Sequence, residues 1–202
     1  MPAKWIIYIP RTSQNAGEKD GGNPSLNVRA ESWRAHIVGK LKGAKYTFHL
    51  LWRDDVFPNG LGADDVVYVY GGHGLTNRDS ITWPGEEANA ITSDQLKDLL
   101  VGKLPTTFDG KLKIYSCHSG ESGATAFGKR VAAKMRSAGY VNCRYYGYIG
   151  EVTQAYEKIT QLKARIYKGQ DLEEVTANAH RFAIQNKQYM GRASAEGNRI
   201  LL

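Results

Sequence analysis

The sequence holds little of what most often announces a function. It has only two cysteines, Cys117 and Cys143, with no CxxC pair and no Cys/His spacing suited to zinc. That excludes a disulfide framework and points to a reducing, cytoplasmic setting, in its own cell or after delivery into another as an effector. No apolar run approaches the roughly 20 residues of a membrane-spanning helix. The opening "MPAKWIIYIPRT" lacks the pattern of a signal peptide and reads as a first strand. The net charge is +7, yet Lys and Arg are scattered rather than gathered in a block. The charge therefore reads as a basic surface, with no nucleic-acid or membrane partner expected.

Several catalytic signatures are also missing. There is no Gly-x-Gly-x-x-Gly and no Walker lysine, which argues against a phosphate loop at "YGGHGLTNRD". A serine hydrolase would need a Gly-x-Ser-x-Gly elbow, and none occurs. Gly123 stands where a Cys-based phosphatase would carry its phosphate-cradling arginine. The pairs Asp54–Asp55 and Asp64–Asp65 lack calcium-loop spacing and read as solvated turns. Neither a metal nor a cofactor is expected.

What is present is an alternation of strand and helix patterns. Residues 1–202 have the length and apolar content of one domain, with no internal repeat. Strands are predicted at Lys4 to Ile9, Tyr46 to Trp52, Val66 to Tyr70, Leu112 to Tyr115 and Cys143 to Ile149. Helices are predicted at Ala30 to Leu41, with Trp33, Ile37, Val38 and Leu41 on one face, and at Ser93 to Leu100, with Ser93 as N-cap. Another is predicted at Gly123 to Ala138, through Phe127, Val131, Ala132 and Met135. Thr153 to Tyr167 and Leu172 to Gln185 read as closing helices. Arg11 to Asn27 is a long polar loop, either functional or disordered. "VVYVY" is apolar throughout, as a strand covered on both faces requires. The pattern predicts a three-layer α/β/α sandwich with a mainly parallel sheet.

In such sheets ligands gather beyond the carboxyl ends of the strands. Two of those ends carry chemistry. One strand runs into Gly71-Gly72-His73-Gly74, and the next into Ser116-Cys117-His118-Ser119-Gly120. Neighbouring strands lie about 4.8 Å apart, so His73 and Cys117 are expected at one sheet edge. A thiolate is the attacking form of cysteine, and a nearby imidazole can protonate a departing amine. A helix starting just after Cys117 would favour the thiolate through its dipole. The N–H groups of Gly74 and Cys117 are the expected oxyanion donors. Ser119 and Gly120, being small, are expected to leave room for a substrate backbone. His118 is the alternative partner, though adjacent side chains at a strand end point apart. Cys143, His36, His49 and His180 read as packing or surface residues.

The constellation "VVYVYGGHG" with "LKIYSCHSG" resembles the caspase-like cysteine peptidases, in which a strand ending in His-Gly precedes a strand ending in the nucleophilic Cys. The resemblance implies a caspase-like fold and a thiol endopeptidase acting on a polypeptide substrate. His73 would be its acid/base, Gly74 and Cys117 its oxyanion donors, and Cys117 its nucleophile. It also implies that the strand "CRYYGYIGEV" builds one wall of the substrate pocket, through Tyr145, Tyr146 and Tyr148. Ser119 and Glu121 join the substrate-binding candidates. Glu86, Glu87, Glu121 and Glu151 would favour a basic residue before the cut. The Gln-Ala-Cys-Arg-Gly signature of true caspases is replaced here by Tyr115-Ser116-Cys117-His118-Ser119, so a requirement for aspartate does not carry over. Rival readings are a non-proteolytic binding module of the same fold, or another Cys-His acyl transferase such as a deamidase.

Overall fold

Runs of apolar, β-branched and aromatic residues supply the sheet. The computed structural model describes residues 2–13, 26–41, 46–71, 73–82, 90–121, 125–149, 151–153, 165–167 and 199–202. Its main sheet has six strands: β1 (Ala3–Ile9), β2 (Tyr46–Trp52), β3 (Val66–Tyr70), β7 (Lys111–Tyr115), β8 (Arg144–Tyr148) and β11 (Arg199–Leu201). A small three-stranded sheet joins β4 (His73–Gly74), β5 (Ser80–Thr82) and β6 (Ile91–Thr92), and β9 (Glu151–Thr153) pairs with β10 (Arg165–Tyr167). The helices are α1 (Leu26–Leu41), α2 (Ser93–Val101) and α3 (Phe127–Ser137).

The main sheet runs in the order β11-β8-β7-β3-β1-β2. Strands β2, β1, β3, β7 and β8 are parallel, and β11 closes the edge antiparallel to β8. This is an α/β fold with a mixed, mostly parallel sheet. Strand β3 lies near its centre, and all five of its residues are buried. Such a strand has no solvent face to mark with polar residues, which is why its sequence does not alternate.

The two faces are distinguished by period-2 alternation. Tyr68, Tyr70 and Tyr115 project to one side, where Trp33 of α1 packs on them at ring-centroid distances of 4.9, 5.1 and 4.9 Å. Trp5 stacks on Tyr68 at 5.2 Å, and Tyr148 meets Tyr115 edge-on at 5.0 Å. Each such pair contributes about 0.5–1.5 kcal/mol beyond its buried area. On the other side, Tyr145 is in register with Leu112 and carries the Arg136 guanidinium of α3 over its ring at 4.9 Å. Helices α2 and α3 pack together. No helix among the described residues is long and apolar enough to cross a membrane.

Most strand expectations hold to within a residue, and several others are corrected. The cap of α2 is Thr92, not Ser93: Thr92 Oγ1 accepts from the Gln95 N–H at 3.2 Å, and Gln95 Oε1 accepts from the Thr92 N–H at 2.9 Å. The Ser93 side chain is buried instead. Trp33 faces the core as expected, but Val38 is 45% exposed. The helix expected at Gly123 begins at Phe127, with 122–124 outside the described residues. The helix expected from Thr153 to Tyr167 is contradicted at both ends, which are the strands β9 and β10. Leu172 to Gln185, and most of the Arg11 to Asn27 loop, lie outside the described residues.

Candidate active site

Strands β3 and β7 pair in parallel with Tyr70 opposite Tyr115, so their carboxyl ends leave the sheet side by side. The two exits differ. Gly71 has φ +93°, a conformation that only glycine adopts without strain, and it turns the chain off the main sheet. His73 therefore belongs to β4, where it pairs with Thr82 of β5 rather than continuing β3. It is half-buried. The histidine is presented by a hairpin that docks against the sheet edge.

The docking point is Gly74. A β-carbon there would fall 2.0 Å from the Cys117 carbonyl oxygen, 2.7 Å from Ser116 Oγ and 3.1 Å from the Cys117 carbonyl carbon. The backbone that follows His73 is thus seated directly on the peptide of Cys117. Any side chain at position 74 would push the two loops apart. Cys117 is half-buried: part of its surface packs on the core and part remains accessible.

The chain turns sharply after β7. The Ser116 N–H donates to the Ile114 carbonyl at 3.0 Å, and the Glu121 N–H to the His118 carbonyl at 3.2 Å. His118 has φ +54°, a left-handed conformation that costs a non-glycine residue about 1–2 kcal/mol. Its Nδ1 lies 2.9 Å from Glu121 Oε1, so Glu121, a substrate-binding candidate, is engaged with this histidine. Glu86 and Glu87 lie outside the described residues, and Glu151 begins β9, which pairs with β10 rather than within the main sheet.

The expected room around Ser119 and Gly120 is filled. Ser119 is fully buried; its hydroxyl donates to the Ile114 carbonyl at 2.7 Å and accepts from the Tyr148 N–H at 3.0 Å. The Gly120 N–H donates to the Tyr148 carbonyl at 2.8 Å, and a β-carbon on Gly120 would meet the Gly147 carbonyl carbon at 2.8 Å. These small residues let β8, not a substrate, come close. The dipole expectation is corrected as well. Helix α3 starts at Phe127, and the Gly128 N–H of its first turn donates to the Ser119 carbonyl at 3.0 Å.

Burial likewise removes two of the three tyrosines from the groove wall the resemblance assigned them. Tyr145 and Tyr148 are 0% and 1% exposed and belong to the core. The Tyr145 hydroxyl donates to the Tyr140 carbonyl at 2.7 Å. Tyr146 is half-buried, with the Arg199 guanidinium 4.7 Å above its ring. Cys143 is buried, and desolvation pushes its thiol up to about 11, only partly offset by its hydrogen bond with Tyr145. His49 sits within β2 as read, its imidazole held below the ordinary range by burial and then by Lys4.

The hairpin between β4 and β5 escaped the sequence reading. Its signal was the polar turn "TNRD" between two short apolar segments. Its tip reaches across to the loop that follows Cys117: Thr125 Oγ1 donates to Asn77 Oδ1 at 2.7 Å. The site brings a half-buried cysteine and a histidine-bearing hairpin together, with Gly74 packed against the Cys117 carbonyl. Comparisons of the chain with protein-family models, with curated proteins and with solved structures return no match.

Proposed function

We propose that the protein is a caspase-like cysteine endopeptidase, a three-layer α/β/α sandwich in which Cys117 is the nucleophile and His73 its acid/base partner. The observation that carries this reading is the seat of Gly74 on the Cys117 peptide. Residues distant in sequence meet there at the carboxyl edge of the sheet, where this class of fold gathers its chemistry. The half-exposed state of Cys117 supports the same reading, since a nucleophile must be reached. Cys143 offers the contrast of a buried thiol whose ionisation is held back by desolvation.

In the proposed reaction the Cys117 thiolate attacks the scissile carbonyl carbon of a polypeptide and forms a C–S bond. The backbone N–H groups of Gly74 and Cys117 hold the oxyanion. The C–N bond breaks as His73 gives its proton to the departing amine. Water then adds to the thioester, His73 takes one of its protons, and the C–S bond breaks to release the acid and restore the thiolate. In this reading the hydrogen-bonded His118–Glu121 pair supports the loop that carries Cys117 and is not the acid/base.

The test is cleavage of a peptide library by the whole chain, read as new N-termini by mass spectrometry. Cys117→Ala is expected to abolish cleavage and to leave the unfolding transition in place. Normal cleavage by that variant would refute the mechanism. Loss of a side-chain amide without chain scission would point to a deamidase instead.

A further inference from the structure

We infer that Asn77 is a positioning residue: with Thr125 and Arg130 it forms a clasp that fixes His73 against Cys117. The inference rests on the peptidase reading above and adds to it the device that sets the distance between the two groups. That distance is not fixed by the register of β3 and β7, because the chain leaves the main sheet at Gly71. The hairpin that presents His73 is short: among the described residues, β4 pairs to β5 through His73↔Thr82 and Gly74↔Ile81. Something outside the main sheet must hold it.

Four contacts do so. Asn77, at the hairpin tip, has φ +65° and accepts the Thr125 hydroxyl hydrogen bond at 2.7 Å. Arg130 of α3 ties both loops at once: its Nε donates to the Thr125 carbonyl at 3.1 Å and lies 3.8 Å from Asp79 Oδ1. Lys134, one turn further along α3, lies 4.0 Å from Asp79 Oδ2 and 2.5 Å from Asp94 Oδ2. The Ser93 N–H donates to the Asp79 carbonyl at 3.3 Å, which anchors the base of the hairpin to the start of α2. Asn77 and Asp79 thus lie just beyond His73 on one loop, and Thr125 lies between Cys117 and α3 on the other.

The left-handed backbone at position 77 explains the residue type. Asparagine adopts that conformation more readily than most residues, and its side chain keeps an acceptor available there. Each contact is modest on its own, the ion pairs to Asp79 at 3.8 and 4.0 Å especially. Their role is geometric, because displacing a catalytic group by about 1 Å can lower a rate about a hundredfold.

The test uses the full chain and follows alkylation of Cys117 by iodoacetamide as a function of pH. This reads the coupling of imidazole and thiol without any substrate. The other titratable groups on the Cys117 loop, His118 and Glu121, are unchanged in all variants. Asn77→Gly keeps the backbone conformation and deletes the acceptor; Thr125→Val deletes the donor and Thr125→Ser retains it. Asn77→Gly and Thr125→Val are expected to move the alkylation midpoint up toward that of an ordinary thiol, about 8.5. A rise of one pH unit lowers the neutral-pH rate about tenfold. Thr125→Ser is expected to keep the wild-type profile. Unchanged profiles in Asn77→Gly and Thr125→Val, alongside a shifted one in His73→Ala, would overturn the clasp and leave the peptidase reading standing. A His73→Ala profile identical to wild type would overturn both.

Discussion

Replacing Gly74 with alanine tests the seat between the two loops. The added methyl carbon would lie 2.0 Å from the Cys117 carbonyl oxygen. Close carbon–oxygen contacts settle at about 3.3–3.6 Å, so the hairpin and the Cys117 loop must separate by roughly 1.3 Å. The obstacle is backbone, which cannot swing aside as a flexible side chain can. Overpacking of this kind costs about 1–3 kcal/mol of stability. The same displacement moves the imidazole from the thiol and is expected to lower kcat/KM about a hundredfold. A control separates the two effects. A β-carbon at Gly110, at the other end of β7, would meet Phe108 Cε2 at 2.5 Å and the Asp65 carbonyl oxygen at 2.6 Å. Gly110→Ala is expected to lower the unfolding midpoint in urea by a comparable amount while the folded protein cleaves peptide normally. Gly74→Ala with stability and kcat/KM both within twofold of wild type would refute the reasoning.

Two further outcomes follow from buried groups. Burial holds the Cys143 thiol up at about 11, while in the unfolded chain it ionises near 8.5. Stability is therefore at its full value below about pH 8.5. It falls as the pH rises toward about 11, because the unfolded chain loses the proton first, with a total loss of about 3 kcal/mol. Urea titrations across that window check this, and Cys143→Ala is expected to flatten the slope. Ser119→Ala removes the hydroxyl that joins the Ile114 carbonyl to the Tyr148 N–H. It strands both backbone groups and is expected to cost about 2–4 kcal/mol in equilibrium denaturation.

The strands were legible because their residues leave little choice. "VVYVY" is wholly β-branched or aromatic and "YTFHLLW" is mostly aromatic and apolar, and both fold as read. The juxtaposed exits of β3 and β7 followed only if those strands were neighbours, and they do pair in parallel. What failed depended on long-range partners. Tyr145 and Tyr148 were assigned to a pocket wall by the resemblance alone, but Tyr145 packs under Arg136 of α3 and Tyr148 against Tyr115, and β8 is flanked by β11. The sequence "RILL" is too short to identify that strand by itself. Ser119 and Gly120 looked like open space because smallness does not say what comes close, and here it is Gly147. The Thr92 cap, by contrast, was readable: Thr92 and Gln95 stand three apart, as a capping box requires.

The strand order has a kinetic consequence. Strand β3 acquires its neighbours from far along the chain in both directions, pairing Trp5 with Val66 on one side and Val66 with Lys111 on the other. Each of these pairings must close a large loop before its hydrogen bonds offset the lost chain entropy. Folding is accordingly slow beside that of helical proteins of similar size. A nascent chain that has emerged only as far as His73 still lacks Cys117, so the proposed pairing of the two residues arises only once the central strands have met.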